Sequence, residues 1–384
     1  MLFAVDAHAI GCRLTGNEVY IRNLLAAMAD LPGGWELIAY YSRPEAHQWL
    51  PERFRRAAVS PNPVVRLGVD LPRRLRRDRP SLLHVQYTAP VDCPVPVVVT
   101  VHDVSFLEHP EYFPRWRARQ LRLTVRRTVT RAARVLTGSE FSARAIARHY
   151  GRLAPQITVI PNAVSPVFRP LARETAGAFV GARFAIQRPF LLCVGDLQPR
   201  KNQLGLVQAF AALVRSLPGS ELHLVLAGKT TPYAWRVRRA ARQSGIEERV
   251  HLLGYVSDED LLHLYNACEA FVFPSWYEGF GLPVLEAMAC GTAVACSNRS
   301  ALPEVADAAA LLFDPASQEE MVRAMRDLLV EPDLRARLKR LGMQRAAQFS
   351  WRRTAERTLA VYHSVAEGQL LRAAAVTAPV VRQR

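Results

Sequence analysis

Several features that define other classes of protein are missing from this chain of 384 residues. No apolar run reaches the roughly 18–20 residues of a membrane-spanning helix, so we expect no transmembrane segment. The apolar start, MLFAVDAHAI, lacks the basic residues that open a signal peptide and predicts a first strand instead. No internal repeat or low-complexity segment is present, and half of the residues are apolar. The sequence therefore predicts a globular protein long enough for two domains.

The cysteines include no Cys-X-X-Cys pair, which argues against a zinc site. Four of the six lie in apolar stretches typical of buried thiols: Cys193, Cys268, Cys290 and Cys296. We therefore expect a reduced, cytoplasmic protein.

Lysine is also scarce, so arginine carries nearly all of the basic charge behind the net +16. Such a charge attracts nucleic acid, anionic lipid or phosphorylated substrates. Arginine is concentrated in residues 73–79 and 115–134. The second stretch predicts a helix that either lies on an anionic membrane surface or presents a solvated face. Its apolar residues are Trp116, Leu121, Leu123, Val125 and Val129.

Short apolar runs alternate with amphipathic stretches along the whole chain, which predicts parallel sheets covered by helices on both faces. The predicted strands are 2–7, 35–41, 82–87, 96–102, 134–138, 157–161, 190–197, 221–228, 250–257, 270–275, 292–297 and 309–314. The predicted helices are 17–30, 140–150, 202–216, 232–244, 258–268, 283–290, 317–329 and 350–370. The predicted fold class is α/β, with two Rossmann-like doubly wound domains that face each other across an interdomain cleft and bind ligands at the carboxyl ends of their strands.

The domain boundaries follow from this alternation. We predict an N-terminal domain over 1–170, which helix 350–370 rejoins, and a C-terminal domain over 171–349. Residues 161–189 hold four prolines and no clear strand, which predicts the hinge region. Residues 371–384 are expected to form a disordered tail.

The segment SWYEGFGLPVLEAMACG, residues 275–291, predicts a glycine-bearing loop that leads into a helix. Pro283 is expected as the first helical residue, and Gly291 as the left-handed residue that ends the helix. Free N–H groups and the positive end of the helix dipole make such a start an anion site. Glu278 and Glu286 would then bind hydroxyl groups, since a carboxylate repels phosphate. The alternative is a capped helix whose glutamates are only solvated.

A second basic motif follows another predicted strand. Arg200 and Lys201, in VGDLQPRKNQ, stand where the next helix begins. A guanidinium beside an ammonium at the carboxyl end of a strand can clamp a diphosphate. Ser257 and Asp260 have the spacing of a capping box and are interpreted as structural.

Taken together, residues 190–315 resemble glycosyltransferase family 4, the retaining nucleotide-sugar transferases of the GT-B fold. The resemblance rests on GDLQPRKN, on FVFPSWYEGFGLPVLEAMACGTAV with its glutamate pair, and on LPEVADAAALLFDP. In the first half, TGNEVYIRNLL (15–25), VHDVSFLEHPEYF (101–113) and TGSEFSARAI agree with it. The resemblance covers nearly the whole chain.

The resemblance implies roles for the second half of the chain. Arg200 and Lys201 would neutralise the donor diphosphate, and Glu286 would bind the ribose hydroxyls. Glu278 would face the donor sugar as a catalytic residue. The backbone of the following loop would hold sugar hydroxyls or phosphate through Gly279, Phe280, Gly281 and Leu282. Relatives often have a basic or small residue where Asp196 stands, so no basic contact is expected from that position.

In the first half, the resemblance implies that Gly16 lets a loop approach the donor and that the catalytic candidates His102 and Asp103 line the sugar. The alternative for His102 is a strand-end histidine bonded to the backbone, and the alternative for Asp103 is a cap of the next turn. Asn17 and Glu18 are expected to cap a helix. His84 either lines the cleft or is a satisfied core histidine.

The implied reaction needs no metal, because two fixed cations and a helix start stabilise the leaving diphosphate. The resemblance further implies retention of the anomeric configuration. The TGNE sequence resembles that of mannosyltransferase-like members of the family, which favours GDP-mannose as the donor. The expected acceptor is a glycan or a lipid-linked molecule in cell-envelope synthesis. The enzyme is expected in the cytoplasm or on the inner face of the plasma membrane. Two alternatives remain: a basic nucleic-acid-binding protein, and a sugar-nucleotide epimerase of the same fold.

Overall fold

The first sheet of the computed structural model, which describes residues 1–12, 15–151 and 157–377, is wholly parallel. Its seven strands lie in the order β3-β2-β1-β4-β5-β6-β7. They are β1 (Leu2–Asp6), β2 (Glu36–Tyr41), β3 (Arg55–Ala58), β4 (Leu83–Gln86), β5 (Val97–Thr100), β6 (Arg134–Thr137) and β7 (Ile157–Val159). The helices between them are α1 (Thr15–Ala29), α2 (Pro63–Val65), α3 (Leu71–Asp78), α4 (Ser105–Glu108), α5 (Arg115–Arg131) and α6 (Glu140–Tyr150). We call this part the N-terminal half.

The second sheet is also parallel and has six strands in the order β10-β9-β8-β11-β12-β13. They are β8 (Phe190–Val194), β9 (His223–Ala227), β10 (Val250–Gly254), β11 (Ala270–Phe273), β12 (Val294–Ser297) and β13 (Leu311–Phe313). The helices of this C-terminal half are α7 (Arg173–Phe184), α8 (Gln203–Ser216), α9 (Ala234–Gln243), α10 (Asp258–Ala267), α11 (Leu282–Ala289), α12 (Leu302–Ala306), α13 (Gln318–Val330) and α14 (Pro332–Ala346). Two doubly wound sheets confirm the predicted fold class.

The last helix returns to the first sheet. Helix α15 (Trp351–Thr377) buries Trp351, Ala355 and Tyr362 in the same apolar cluster as the strand residue Phe3. The rings of Phe3 and Tyr362 meet edge to face, 5.3 Å apart. The helix extends past residue 370 into the predicted tail, and residues 378–384 lie outside the described part. The domain boundaries remain predictions.

Each predicted strand and helix is present, with ends shifted by a few residues, but one strand and six helices were missed: β3, α2, α3, α4, α7, α12 and α14. The predicted hinge region contains α7, which packs on α10 and buries Ala176 and Val180. Two glycines in this helix weaken its propensity, although the i, i+4 spacing of its buried residues was the available signal. Strand β3 is short, polar and at the sheet edge, and α14 begins directly after α13 at Pro332.

Only part of the apolar surface of helix α5 is exposed, and its contact with a membrane remains a prediction. Val125 and Val129 are buried in the core against the first sheet, and Leu121 packs against the same cluster. Trp116 and Leu123 are 68% and 70% exposed. One face of the helix packs against the sheet, so Trp116 and Leu123 are the two apolar side chains exposed among the arginines. None of the described helices has the length and apolar character needed to cross a bilayer.

Candidate functional site

The residues expected to bind diphosphate and sugar meet where β8 and β11 end. Glu278 accepts a bond from the Lys201 ammonium at 2.7 Å and pairs with the Arg200 guanidinium at 3.2 Å. All three side chains are largely buried. Two cations against one carboxylate leave this cluster with one net positive charge, which suits an anion.

The cations hold Glu278 ionised. Burial by itself raises the pKa of this carboxyl, but Lys201 and Arg200 outweigh it and lower the pKa to about 2. Burial also lowers the pKa of Lys201, and the Glu278 carboxylate opposes that shift. Each charge in the cluster is therefore tolerated because of the others.

The β8–α8 connection sets the direction of the two cations. A single 3₁₀ turn, Pro199–Lys201, begins with the proline and ends at Asn202, whose φ of 55° is left-handed. The Asn202 amide donates to the Pro315 carbonyl, which anchors the turn. The Arg200 guanidinium also donates to the Tyr277 carbonyl at 2.6 Å, so this arginine contacts the loop in two places.

Two serines that sequence reasoning did not single out hold Glu278 in place. The Ser275 hydroxyl donates to the Glu278 carboxylate, and the Glu278 N–H donates to the Ser300 hydroxyl at 2.9 Å. Ser275 lies inside the FPSWYEGFG motif, so its position in the sequence could have indicated a role in the site. Ser300 lies in a different loop, and no sequence motif of the site indicated its role.

The glycines of the loop are required by space and backbone geometry. A Cβ on Gly279 would lie 2.2 Å from the His102 carbonyl oxygen. Gly281 has a φ of 106°, and a Cβ there would meet Leu302 at 2.6 Å. Among the hydrogen bonds of the described residues, none is donated by the N–H of Gly279, Phe280 or Gly281. The loop thus presents backbone donors just before α11, where the helix dipole is positive.

Glu286 lies one turn into α11, in a different environment from Glu278. Helix α11 begins at Leu282, has Pro283 in its first turn and ends before Gly291, whose φ is 72°. The Glu286 carboxylate accepts a bond from the Tyr265 hydroxyl at 2.9 Å. Burial raises the pKa of Glu286 to about 7, so this group is close to half ionised at neutral pH.

His102 follows β5 and contacts the loop across the cleft. Its ring Nε2 lies 2.7 Å from the Gln86 side-chain oxygen, and in the tautomer with a proton on Nε2 the ring donates this bond and Nδ1 is an acceptor. Burial lowers the pKa of His102 to about 4, which keeps the ring neutral at physiological pH. Tyr20 packs edge-on against the ring at 4.8 Å.

Asp103 has a structural task. Its carboxylate accepts from the Ser105 N–H at 2.9 Å and from the Ser105 hydroxyl at 2.7 Å, as expected for a residue that caps a turn. Its Cβ would lie 3.0 Å from a Cβ on Gly279, so the residue also lies beside the loop. Capping does not exclude the sugar-lining role, which remains a prediction.

The start of α1 differs from the predicted cap at Asn17, because the helix already begins at Thr15. Gly16 is exposed, with nothing within 4 Å of a Cβ placed there, so protein packing does not demand a glycine. The Glu18 carboxylate accepts from the Gly11 N–H at 2.9 Å and ties the helix to the preceding loop. His84 is a core residue, bonded to Tyr362 and Thr100.

One Asp-X-Asp spacing of the kind that can hold a metal occurs, at Asp258 and Asp260. Asp260 completes the predicted capping box with Ser257, and Asp258 pairs with Arg22 of the N-terminal half at 2.6 Å. Both carboxylates therefore have structural partners. Among the described residues, no cluster of three or more His, Cys, Asp or Glu is arranged to hold a metal ion. Metal independence remains a prediction.

Two family models match the chain in sequence. The model described as Glycosyl transferases group 1 matches residues 182–345, and the one described as Glycosyltransferase Family 4 matches residues 14–168. The chain is 35% identical over 269 residues to O-antigen chain mannosyltransferase B of Escherichia coli, a match that covers 69% of each protein. It is 37% identical over 175 residues to the serotype-specific mannosyltransferase WbdA of Escherichia coli. That match covers 45% of this chain and 21% of WbdA.

Solved structures share the fold at lower identity. Sucrose-phosphate synthase from Thermosynechococcus elongatus superposes with a TM-score of 0.76 at 21% identity, over 95% of this chain and 98% of that one. Anabaena HepE, solved in complex with UDP and glucose, has a TM-score of 0.76 at 18% identity, over 94% and 99%. These likenesses confirm two facing Rossmann-like domains of the GT-B type.

Proposed function

Because this chain belongs to glycosyltransferase family 4 and is a glycosyltransferase, we propose that it moves a hexose from a nucleoside-diphosphate sugar to a glycan or lipid-linked acceptor. The acceptor would belong to cell-envelope polysaccharide or glycolipid synthesis. The observation that carries this proposal is the buried cluster of Arg200, Lys201 and Glu278 beside the N–H groups that precede α11. It combines fixed positive charge with a carboxylate that can accept sugar hydroxyls.

In the proposed reaction, the bond between the sugar anomeric carbon and the diphosphate breaks, and negative charge grows on the leaving group. Arg200, Lys201 and the start of α11 stabilise that charge without a metal. The acceptor hydroxyl attacks the face from which the diphosphate departs, and the leaving phosphate takes its proton. The anomeric configuration is thereby retained.

Three further residues orient the donor in this proposal. Glu286 accepts the ribose hydroxyls, with its carboxylate aligned by Tyr265. Glu278 accepts hydroxyls of the sugar. His102 is neutral and its Nε2 is already engaged, so its Nδ1 accepts a sugar hydroxyl from the N-terminal half. In the same proposal, Asp103 lines the sugar from the N-terminal half, and Gly16 lets its loop approach the donor.

We favour mannose, carried on GDP, as the transferred sugar. The support is the name of the relative at 35% identity, O-antigen chain mannosyltransferase B, together with the TGNE sequence at residues 15–18. The match to WbdA does not support the choice of sugar, because the chain spans only about a fifth of that protein.

Nucleotide binding tests the proposal directly. Thermal shift and calorimetry with GDP, UDP, ADP and their sugar conjugates should identify one nucleotide that stabilises the wild type. Glu286→Ala should lose that stabilisation, whereas Glu319→Ala, on an exposed helix surface, should keep it. Absence of stabilisation by every nucleotide, together with salt-sensitive binding of RNA or DNA, would favour the nucleic-acid alternative. An epimerised nucleotide sugar released without any acceptor would favour the epimerase.

We also propose that residues 115–134 contact an anionic membrane surface through the exposed Trp116 and Leu123 and the arginines around them. Vesicles with anionic lipid at low salt should co-sediment with the wild type and less with the double variant Trp116→Ala, Leu123→Ala. Equal binding by both proteins, or none by either, would contradict this surface while leaving the transferase proposal intact.

A further inference from the structure

The carbonyl of Gly279, in the donor loop of the C-terminal half, is held by two serines of the N-terminal half. The Ser139 hydroxyl donates to this oxygen at 2.7 Å, and the Ser142 hydroxyl lies 3.1 Å from it. The Ser142 hydroxyl is shared with the His102 carbonyl at 3.0 Å. Both serines are fully buried, so these bonds form away from competing water.

The N-terminus of helix α6, which begins directly after Ser139, also binds a carboxylate from the C-terminal half. Glu304 of α12 accepts from the N–H of Glu140 at 2.8 Å and from the N–H of Phe141 at 3.0 Å. Ser139 takes the third donor, the N–H of Ser142, at 3.1 Å. The first three N–H groups of α6 are thus satisfied, two of them by a residue from the other half of the molecule.

Glu304 is itself held in position. The Arg345 guanidinium donates to the Glu304 carbonyl at 2.7 Å and to the Val305 carbonyl at 3.0 Å. A negative carboxylate at the positive end of the α6 dipole is favourable, and its two charge-assisted bonds are stronger than neutral ones. These contacts therefore join the halves at a defined angle.

We propose that Ser139, Ser142 and Glu304 form a clasp that holds the donor loop against His102, and that they are positioning residues for sugar transfer. Gly279 lies directly after Glu278, so a shift of its carbonyl moves the carboxylate that faces the donor sugar. The catalytic part of this inference rests on the proposed function. The clasp residues contact neither Lys201 nor Glu286, so nucleotide affinity should depend little on them.

The first experiment separates turnover from binding. Glu304→Ala and the double variant Ser139→Ala, Ser142→Ala should lower kcat for transfer at least tenfold, while the Kd for the nucleoside diphosphate stays within threefold of the wild type. Glu304→Gln should recover much of the loss, because its amide oxygen still accepts one N–H. Glu319→Ala, whose carboxylate pairs with Arg323 on the exposed face of α13, is the matched control and should behave as the wild type.

The second experiment needs no substrate. Small-angle X-ray scattering of the full chain should give a larger radius of gyration for Glu304→Ala and the double serine variant than for the wild type and the control. A wild type that binds no nucleotide and transfers no sugar would refute the proposed function, yet the scattering would still test the clasp. Wild-type kcat and wild-type scattering in both variants would overturn the clasp. Nucleotide affinity falling in step with kcat would also overturn it, because general damage to the fold would then explain the loss.

Discussion

Glu278 and Glu286 lie in one short segment of the chain, yet the loop and the helix give them opposite electrostatic surroundings. In the loop, Lys201 and Arg200 hold the pKa of Glu278 at about 2. In the helix, burial raises the pKa of Glu286 to about 7, although the hydrogen bond from Tyr265 acts in the opposite direction. Two glutamates that look alike in the sequence therefore differ in the structure: Glu278 is permanently charged, whereas Glu286 can titrate near neutral pH. We infer that the first belongs to a fixed electrostatic cluster, whereas the second can respond to ligand and pH.

The largest expected effect comes from Glu278→Gln, which removes the charge and keeps the shape. Two buried cations then lose their counter-charge, so we expect the free energy of unfolding to fall by about 3 kcal/mol or more and transfer to be lost. Urea unfolding at pH 7 measures the first effect. The folded-state pKa is depressed, so the wild type's advantage is present above about pH 4.5 and disappears as pH falls through about 2.

Glu247→Gln is the control for that measurement, since Glu247 pairs with Arg242 at the surface. It should leave the free energy of unfolding unchanged. Equal stability of Glu278→Gln and the wild type would refute the claim that the cluster depends on its carboxylate.

The next effect concerns the loop alone. Gly279→Ala forces a Cβ to within 2.2 Å of the His102 carbonyl oxygen, and backbone must move to relieve the contact. We expect transfer to fall at least tenfold and stability by about 1–3 kcal/mol. Gly177→Ala in α7 is the matched control, because nothing lies within 4 Å of its added Cβ. That change should stabilise the helix by up to about 1 kcal/mol. Full activity of Gly279→Ala would mean that the close approach is not needed.

A smaller effect should appear in the pH dependence of nucleotide binding. The ionised Glu286 accepts ribose hydroxyls better than the protonated form, so affinity should rise about tenfold between pH 6 and pH 8, around its pKa of about 7. Glu286→Gln should bind weakly and without this dependence in calorimetry. Because the folded-state pKa is raised, the stability from this group is present below about pH 4.5 and is lost as pH rises through about 7. A wild-type nucleotide affinity that does not change between pH 6 and pH 8 would contradict the contrast between a titratable Glu286 and a permanently charged Glu278.

The smallest effect is expected for Tyr265→Phe. The hydroxyl favours the ionised carboxylate through its hydrogen bond, so its loss should raise the pKa of Glu286 further and move the binding profile to higher pH. The cost in stability should be about 1 kcal/mol. The pKa of Glu278 should stay where it is. A profile moved to lower pH would show that the bond acts in the opposite sense.

Much of the fold could be predicted from short-range pattern. Apolar runs of strand length and the spacing of buried positions in helices are local signals. Gly291 and the Ser257–Asp260 capping box took their expected places, whereas Pro283 is the second helical residue rather than the first. Helix α7 was missed because prolines around it suggested a hinge, and β3 because an edge strand does not need an apolar run. Helix α5 was predicted, but the apolar residues that it turns towards the sheet were not, because they depend on how the helix packs on the sheet.

The candidate site was predicted less completely. The residue types at positions 200, 201, 278 and 286 already indicated diphosphate and hydroxyl binding. Their pairing did not follow from sequence, because Lys201 and Glu278 are 77 residues apart and meet only when β8 and β11 lie side by side. Ser300 and Gln86 reach the site from separate loops and strands, so no motif contained them.

The sequence by itself determined the alternation of strands and helices, the glycine loop before α11 and the kinds of chemical group available, since each depends on residues close together in the chain. Only the tertiary structure decided that one glutamate is charged and the other close to half ionised, because a pKa depends on burial and on partners brought together by folding. It also decided that Glu304 and two serines join the halves across Gly279. That contact requires both sheets to be complete and facing each other.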